Sequence, residues 1–206
     1  MTKAEIIAII KSKLDELTPF NEGLVVSVGS ENIAPITNHI DSVLTECIED
    51  IVKVSPIHLL PLTDFVKMGL SITDSVGTIA MPADYLRLGV VRFPCWERSV
   101  TMAFIEGSPQ ALGQANKYTR GGFAKPVIVL VSETAGNKFK IYTITQPANG
   151  IDYPFTYVKR LSITEIPDLL IAPFTWLATS KVFSIMDMAA QAQLADAQFK
   201  NSLMIR

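Results

Sequence analysis

Two histidines and two cysteines in 206 residues leave this chain few side chains suited to catalysis. His39 falls in a helical stretch among Asn38 and Asp41, and His58 falls in a turn flanked by prolines. Neither has the H-x-x-x-H spacing that puts two imidazoles on one helix face for a metal, and neither is tied by sequence to a nucleophile. Asp84 and Glu97 could form an acid–base carboxylate pair. Their spacing does not require it, and a turn former and a solvated strand residue explain them more simply. No G-x-S-x-G elbow, G-x-x-x-x-G-K-[ST] loop or G-x-G-x-x-G turn occurs, so Gly121-Gly122 reads as a turn. Cys47 and Cys95 lie far apart without C-x-x-C spacing, which predicts reduced, buried thiols of a cytosolic product. No catalytic, cofactor-binding or metal-ligating residue is expected.

One segment, KYTRGGFAK, combines Lys117, Tyr118, Arg120, Phe123 and Lys125. Aromatic stacking with phosphate contacts could hold a single nucleic-acid strand. The chain as a whole carries a net charge of −2 and has a pI near 5.7, so it has no basic field to support that use. Tyr118, Arg120 and Phe123 are therefore read as loop residues that meet protein.

Hydrophobic residues make up 49% of the chain and charged ones 18%, with mean hydropathy +0.31. Charge is thinner than the roughly 25% usual in globular chains. Part of the surface meeting other protein would explain this, and a generous core in one domain would explain it nearly as well. Residues 169 to 186, LLIAPFTWLATSKVFSIM, approach the ~20 needed to span a bilayer. Lys181, Pro173 and several hydroxyl residues interrupt the run and no basic clusters flank it, so a buried or subunit-facing helix is expected, with no membrane span. The opening MTKAEIIAIIKSK is too short and too charged for a signal peptide.

These residues sit on a helix, helix, strands, helix, helix framework. Thr2 and Glu5 form a T-x-x-E capping box ahead of Ile6, Ile7, Ile10, Leu14 and Leu17, with Lys3, Lys11, Lys13 and Asp15 placed opposite. NEGLVVSVGSEN follows as a loop with a short extended piece at Leu24 to Val28. Pro35 starts a second helix whose stripe is Ile36, Ile40, Val43, Leu44, Cys47, Ile48, Ile51 and Val52, ended by Ser55-Pro56. Ile57 to Leu60 adds a short helical turn. From Gly77 the period becomes two: Leu86, Leu88 and Val90 point one way, and Tyr85, Arg87, Val91 and Phe93 the other. Pro82 to Asp84 is a corner that sets this strand's register. Further strands are expected at 99–105, 127–132, 138–145 and 155–161, with VIVLV central and ETAGN a hairpin turn. Ser108-Pro109 starts a short helix through Tyr118, closed by Gly121-Gly122. Asp168 to about Met188 and then AAQAQLADAQFKNSLMI return to helix, the latter with Leu194, Ala195, Phe199 and Leu203 inward. The fold class is α+β: a bundle of N- and C-terminal helices (1–62 and 163–206) with an inserted antiparallel β portion (75–162) that carries a helical insert at 108–122.

Pro82-x-Asp84-Tyr85-Leu86-x-Leu88, Trp96-x-Arg98-x-Val100, Tyr118-x-Arg120-Gly121, Lys125-Pro126 and Ala178-x-x-Lys181-Val182 resemble the head-to-tail connector proteins of short-tailed phages. The nearest likeness is to ring proteins of crAss-like phages, the group called adaptor, gatekeeper or tail tubular proteins. The resemblance spans roughly residues 77 to 206, through short motifs. It implies a non-enzymatic virion protein in the neck, made in the host cytoplasm and assembled as a closed ring of about twelve copies. Its partners would be the portal protein and further neck or tail rings, with DNA passing through and no sequence-specific binding. A conduit of this kind should avoid a basic lumen, because each neutralised phosphate adds affinity and holds the genome back.

A ring also needs two different patches to meet between neighbours. The candidates are Ile40, Val43 and Ile48 on the second helix and Trp176 and Phe183 on the 169–186 helix. Phe199, Leu203 and Ile205 are the candidates for docking into the portal as a helix in a groove. Another phage structural or scaffolding module, such as a tail completion protein, is the alternative, followed by an enzyme with an unrecognised site.

Overall fold

The computed structural model describes residues 1–17, 36–65, 70–134, 136–144 and 154–204. The expected extended piece at Leu24 to Val28, Pro35 and the docking candidate Ile205 lie outside the described residues. The chain forms two units. One is helical, made of Met1–Pro61 and Leu161–Arg206; the other is β-rich, Leu62–Arg160. The fold is α+β, with helices supplied by both chain ends.

In the helical unit, α1 (Lys3–Leu17) starts at a closed capping box. The Thr2 amide donates to Glu5 Oε2 at 2.7 Å, and the Glu5 amide donates to Thr2 Oγ1 at 3.3 Å. Two otherwise orphaned amides are thereby satisfied. Ile6, Ile10 and Leu14 are buried in a row of i, i+4 spacing. Lys13, expected on the solvent side, turns inward instead. It follows Ile6 by seven residues, which returns it to within about 20° of the same face. α2 (Ile36–Val54) buries Ile40, Val43, Leu44, Cys47, Ile48, Ile51 and Val52, and a 3₁₀ turn at Ile57–Leu59 follows.

α4 (Asp168–Ile185) packs against α1, α2 and α5 (Ala189–Met204). With neighbours on three sides, its middle from Pro173 to Phe183 has no exposed residue to mark with charge, which explains its nearly uniform apolar sequence. Its buried hydroxyls bond back to the helix: Thr175 Oγ1 donates to the Ala172 carbonyl at 3.0 Å and Thr179 Oγ1 to the Thr175 carbonyl at 2.8 Å. No helix among the described residues is long and apolar enough to cross a membrane.

α4 ends in a Schellman turn, in which the Met188 amide donates to the Phe183 carbonyl and the Asp187 amide to the Ser184 carbonyl. Asp187 takes the left-handed position, at φ 59°. In α5 the inner face is Ala192, Ala195 and Phe199, with Leu203 half-buried. Leu194 was expected inside but is 56% exposed. The 192–195–199 row leaves it about 130° off the contact line.

In the β unit, β2 (Ser71–Thr73), β3 (Val76–Ala80), β7 (Gly136–Tyr142), β6 (Ile128–Glu133) and β5 (Phe104–Ile105) form a five-stranded sheet in the order β2-β3-β7-β6-β5. β1 (Thr63–Asp64), β8 (Phe155–Lys159) and β4 (Tyr85–Val91) form a three-stranded sheet in the order β1-β8-β4. β1 and β2 lie ahead of residue 75, where the β portion was expected to begin. They carry few residues, and the hairpin between β2 and β3 turns on Asp74-Ser75, both at positive φ (51° and 64°). That is type I′ geometry without the glycine that normally announces it.

Pairing is antiparallel except between β5 and β6, which are parallel. A parallel pair needs a crossover, and the insert carrying α3 (Pro109–Ala115) supplies it. Ser108 caps α3 by accepting the Ala111 amide, as its Ser-Pro start predicted. VIVLV is interior, with β7 on one side and β5 on the other.

Simple alternation in β4 fails. Tyr85, Leu88, Val91 and Phe93 all meet one core, although their numbers differ in parity. Register shifts between Tyr85 and Arg87 and between Leu88 and Val91 each flip the side chains. At the second shift the Thr156 hydroxyl replaces ladder bonds, accepting from the Val90 amide at 2.8 Å. Gly89 permits this approach, because a Cβ there would lie 2.5 Å from Thr156 Oγ1. The core between the strands is aromatic, with Phe65 stacked on Phe155 at 4.3 Å and Tyr85 edge-on to Phe139 at 5.2 Å.

Candidate functional site

The residues singled out for chemistry are structural in placement. Asp84 accepts a hydrogen bond from the Tyr157 hydroxyl at 3.0 Å, and its carbonyl accepts from the Arg160 amide at 2.7 Å. The Tyr85 amide turns back to the Pro82 carbonyl. Pro82-x-Asp84-Tyr85 is thus a corner clasp that ties the entry of β4 to the end of β8. Burial first, and the facing Asp84 carboxylate second, push the Tyr157 phenol above its ordinary range. Glu97 is exposed, and its amide donates to the Phe123 carbonyl. His39 is half-buried on α2 and His58 is exposed in the 3₁₀ turn. No group of three or more His, Cys, Asp or Glu suited to a metal occurs among the described residues. Cys47 is fully buried, which pushes its thiol up to about 12; Cys95 is half-buried.

The Trp96-x-Arg98-x-Val100 motif anchors the loop after β4. Trp96 Nε1 donates to the Thr143 carbonyl at 2.8 Å, and Val100 pairs with Val91 across an isolated bridge. In the KYTRGGFAK loop, Arg120 is committed internally. Its Nε donates to the Gln114 carbonyl at 3.0 Å, its Nη1 to the Asp74 carbonyl at 3.3 Å, and its guanidinium lies over the Tyr142 ring. A guanidinium used this way holds the insert against the sheet. Tyr118 projects outward at 85% exposure, and Phe123 is also exposed. With Met102, Ile105 and Leu112, they give the segment from 102 to 123 most of the large apolar side chains that the β unit exposes among the described residues. Beside it lies an open cavity of about 450 Å³ whose lining includes Met81, Tyr85, Ile105 and Leu130, with Glu106, Ser132 and Asn137 as polar members.

In the helical unit, Lys181 ties α4 to α2. Its Nζ is 2.7 Å from Glu46 Oε1 and 2.5 Å from Asp50 Oδ2. Burial opposes the Lys181 charge, but Asp50 and Glu46 outweigh it and hold the ammonium above its usual value. The Lys181 hydrogen bond in turn draws the Asp50 carboxyl down.

The side chains expected at a subunit interface need correction. Ile40, Val43, Ile48 and Phe183 are buried inside the helical unit, because the α2 stripe is spent on α4. Trp176 is half-buried beneath the Lys13 ammonium. Of the docking candidates, Phe199 is buried and Leu203 half-buried on α5. The apolar side chains the helical unit leaves exposed are others, among them Val54, Leu169, Ile185 and Leu194.

The sequence reading missed Lys13. Its Nζ donates to Thr175 Oγ1 at 2.6 Å and to the Ala172 carbonyl at 3.3 Å, and sits 4.0 Å from the Trp176 ring centroid. Burial pushes the ammonium down to about 8, against a smaller opposing effect of Glu16. Its heptad spacing from Ile6 was the available signal.

Compared with known proteins, the chain matches no family model, and no curated protein matches it at a significant level.

Proposed function

We propose that this chain is a structural protein of a phage neck, forming a ring between portal and tail through which DNA passes. The observation that carries the proposal is the architecture that the connector-like motifs occupy: a helical unit built from both chain ends, with a β unit inserted between them. The motifs behind the resemblance serve this architecture. Pro82 to Tyr85 clasps a strand entry, Trp96 anchors a loop, Arg120 holds the insert and Lys181 joins two helices.

Subunit contacts in such a ring use side chains that the folded chain leaves uncovered. On the helical unit these are Val54, Leu169, Ile185 and Leu194, in place of the buried Ile40, Val43, Ile48 and Phe183. The β unit offers Tyr118 and Phe123 to the next component of the neck or tail. DNA passes without tight contact, consistent with a net charge of −2 and an Arg120 engaged within the chain.

The test is electron microscopy of the purified chain mixed with the portal protein of the same virus. A ring of extra density stacked coaxially on the portal, about twelve copies around, is the expected result. No density on the portal, with the chain eluting separately as a monomer, would overturn the proposal.

A further inference from the structure

The β unit carries a projecting aromatic side chain in one place and an apolar cavity in another. Tyr118, at 85%, is the most exposed large apolar side chain among the described residues, and the Lys117 ammonium lies 5.2 Å from its ring centroid. The two stand together as one knob. From Gly107 to Lys125 the chain holds Lys117, Arg120 and Lys125 and no acid, so the knob rises from a basic segment.

The cavity of about 450 Å³ has Met81, Tyr85 and Leu130 among its apolar walls, with Glu106, Ser132 and Asn137 as its polar members. That is the size of pockets that bury small ligands, and it admits an aromatic ring. Ser132 Oγ donates to Asn137 Oδ1 at 2.8 Å, which leaves the Asn137 NH2 group to donate to an entering oxygen. Glu106 brings a carboxylate whose ion-pair partner, Lys140, stands 3.9 Å away, beyond hydrogen-bonding reach.

Knob and cavity lie apart on the sheet. Leu130 faces the aromatic core, whereas Val129 faces the other way and packs with Ala111 of α3 and with Tyr142. Arg120, close after Tyr118 in the chain, lies over Tyr142 on that second side. Along β7, Tyr142 and the cavity's Asn137 are about 17 Å apart. A knob and a hole at separate places make a heterologous contact, which repeats from copy to copy and closes into a ring when the rotation allows.

We infer that Tyr118 of one copy enters the cavity of the next, with its ring against Met81, Tyr85 and Leu130, its hydroxyl at Asn137 and the Lys117 ammonium at Glu106. This rests on the ring reading and names a contact within it. The component that Tyr118 meets is the adjoining copy, and Phe123 remains for the next part of the neck or tail. Apolar surface, hydrogen bonding and charge all match at one spot: the ring covers an apolar wall, the phenol has a polar partner, and the basic knob meets an acid. An aromatic anchor seated in a pocket carries much of an interface's affinity.

The experiment is sedimentation velocity on the full-length chain at about 100 μM, where a contact of micromolar strength is largely formed. The unaltered chain should show species beyond the dimer that grow with concentration. Tyr118→Ala should weaken this association about thirtyfold. Ser132→Trp, which fills the cavity from its exposed edge, should do the same. Mixed together, these two variants should form dimers and stop there, because one supplies only the knob and the other only the hole. Lys117→Glu should weaken association, and adding Glu106→Lys to the same chain should restore it. A monomeric unaltered chain overturns the inference, as does association that Tyr118→Ala leaves unchanged. The ring reading is judged apart from this, by density on the portal: a Tyr118→Ala chain that still rings the portal as the unaltered chain does would strike this contact alone.

Discussion

Replacing Lys13 by methionine should make the protein more stable at neutral pH. Burial in the folded state lowers this ammonium from 10.5 to about 8, against a smaller opposing effect of Glu16. Taken in full, that difference corresponds to about 3 kcal/mol held against the charged form. The amine is only half-buried, so water screens much of it, and about 1 kcal/mol is the expected gain. Methionine keeps a stem of similar length against Trp176 and carries no charge. The sign follows from proton binding. Between pH 8 and 10.5 the unfolded chain holds the Lys13 proton more tightly than the folded one, so the stability of the unaltered protein rises with pH across that window. Below 8 the penalty is complete, and above 10.5 it has gone. Thermal melts of both proteins by far-ultraviolet circular dichroism should show Lys13→Met melting about 3 °C higher at pH 7. The gap should close as pH approaches 10.5. A lower melting point for Lys13→Met at pH 7, or a gap that does not depend on pH, would refute the reasoning.

Three further substitutions probe the elements around these residues. Lys181→Met removes the tie between α4 and α2 and leaves Asp50 and Glu46 facing each other. It should cost about 1–2 kcal/mol by urea denaturation. The loss should shrink in acid, because the Asp50 carboxyl is drawn below its ordinary value and its contribution disappears as pH falls through that lowered value. Asp187→Gly relieves a left-handed residue at the end of α4 and should raise stability by about 0.5–1 kcal/mol in the same assay. Gly89→Ala would press a methyl group against Thr156 and should cost about 2 kcal/mol or more, measurable as a lower urea midpoint.

Helices were legible because their signals are local. Thr2 with Glu5, Ser108 with Pro109, and the α2 stripe each state a boundary or a face within one or two turns. The short strands were not. β1 and β2 hold two and three residues, and the Asp74-Ser75 turn lacks a glycine, so neither length nor punctuation marked them. Alternation in β4 misled because two register shifts, one made possible by Thr156 on a distant strand, reset the period. The parallel β5–β6 pair depends on where the chain returns after α3, which no local pattern states. The interface candidates failed for a related reason. An apolar stripe looks the same whether it meets another helix of its own chain or a neighbour, and α4 claims the α2 stripe. The corner at Pro82 to Asp84 was legible as a turn, whereas the Tyr157 hydroxyl that locks it lies 73 residues away in sequence.

Whether this chain belongs to a phage neck is tested most directly by quantitative mass spectrometry of purified virus particles from the native source, with the chain measured against the major capsid protein. A neck ring predicts enrichment in particles at about a dozen copies each. Absence from particles, with the chain abundant in the infected lysate, would contradict it.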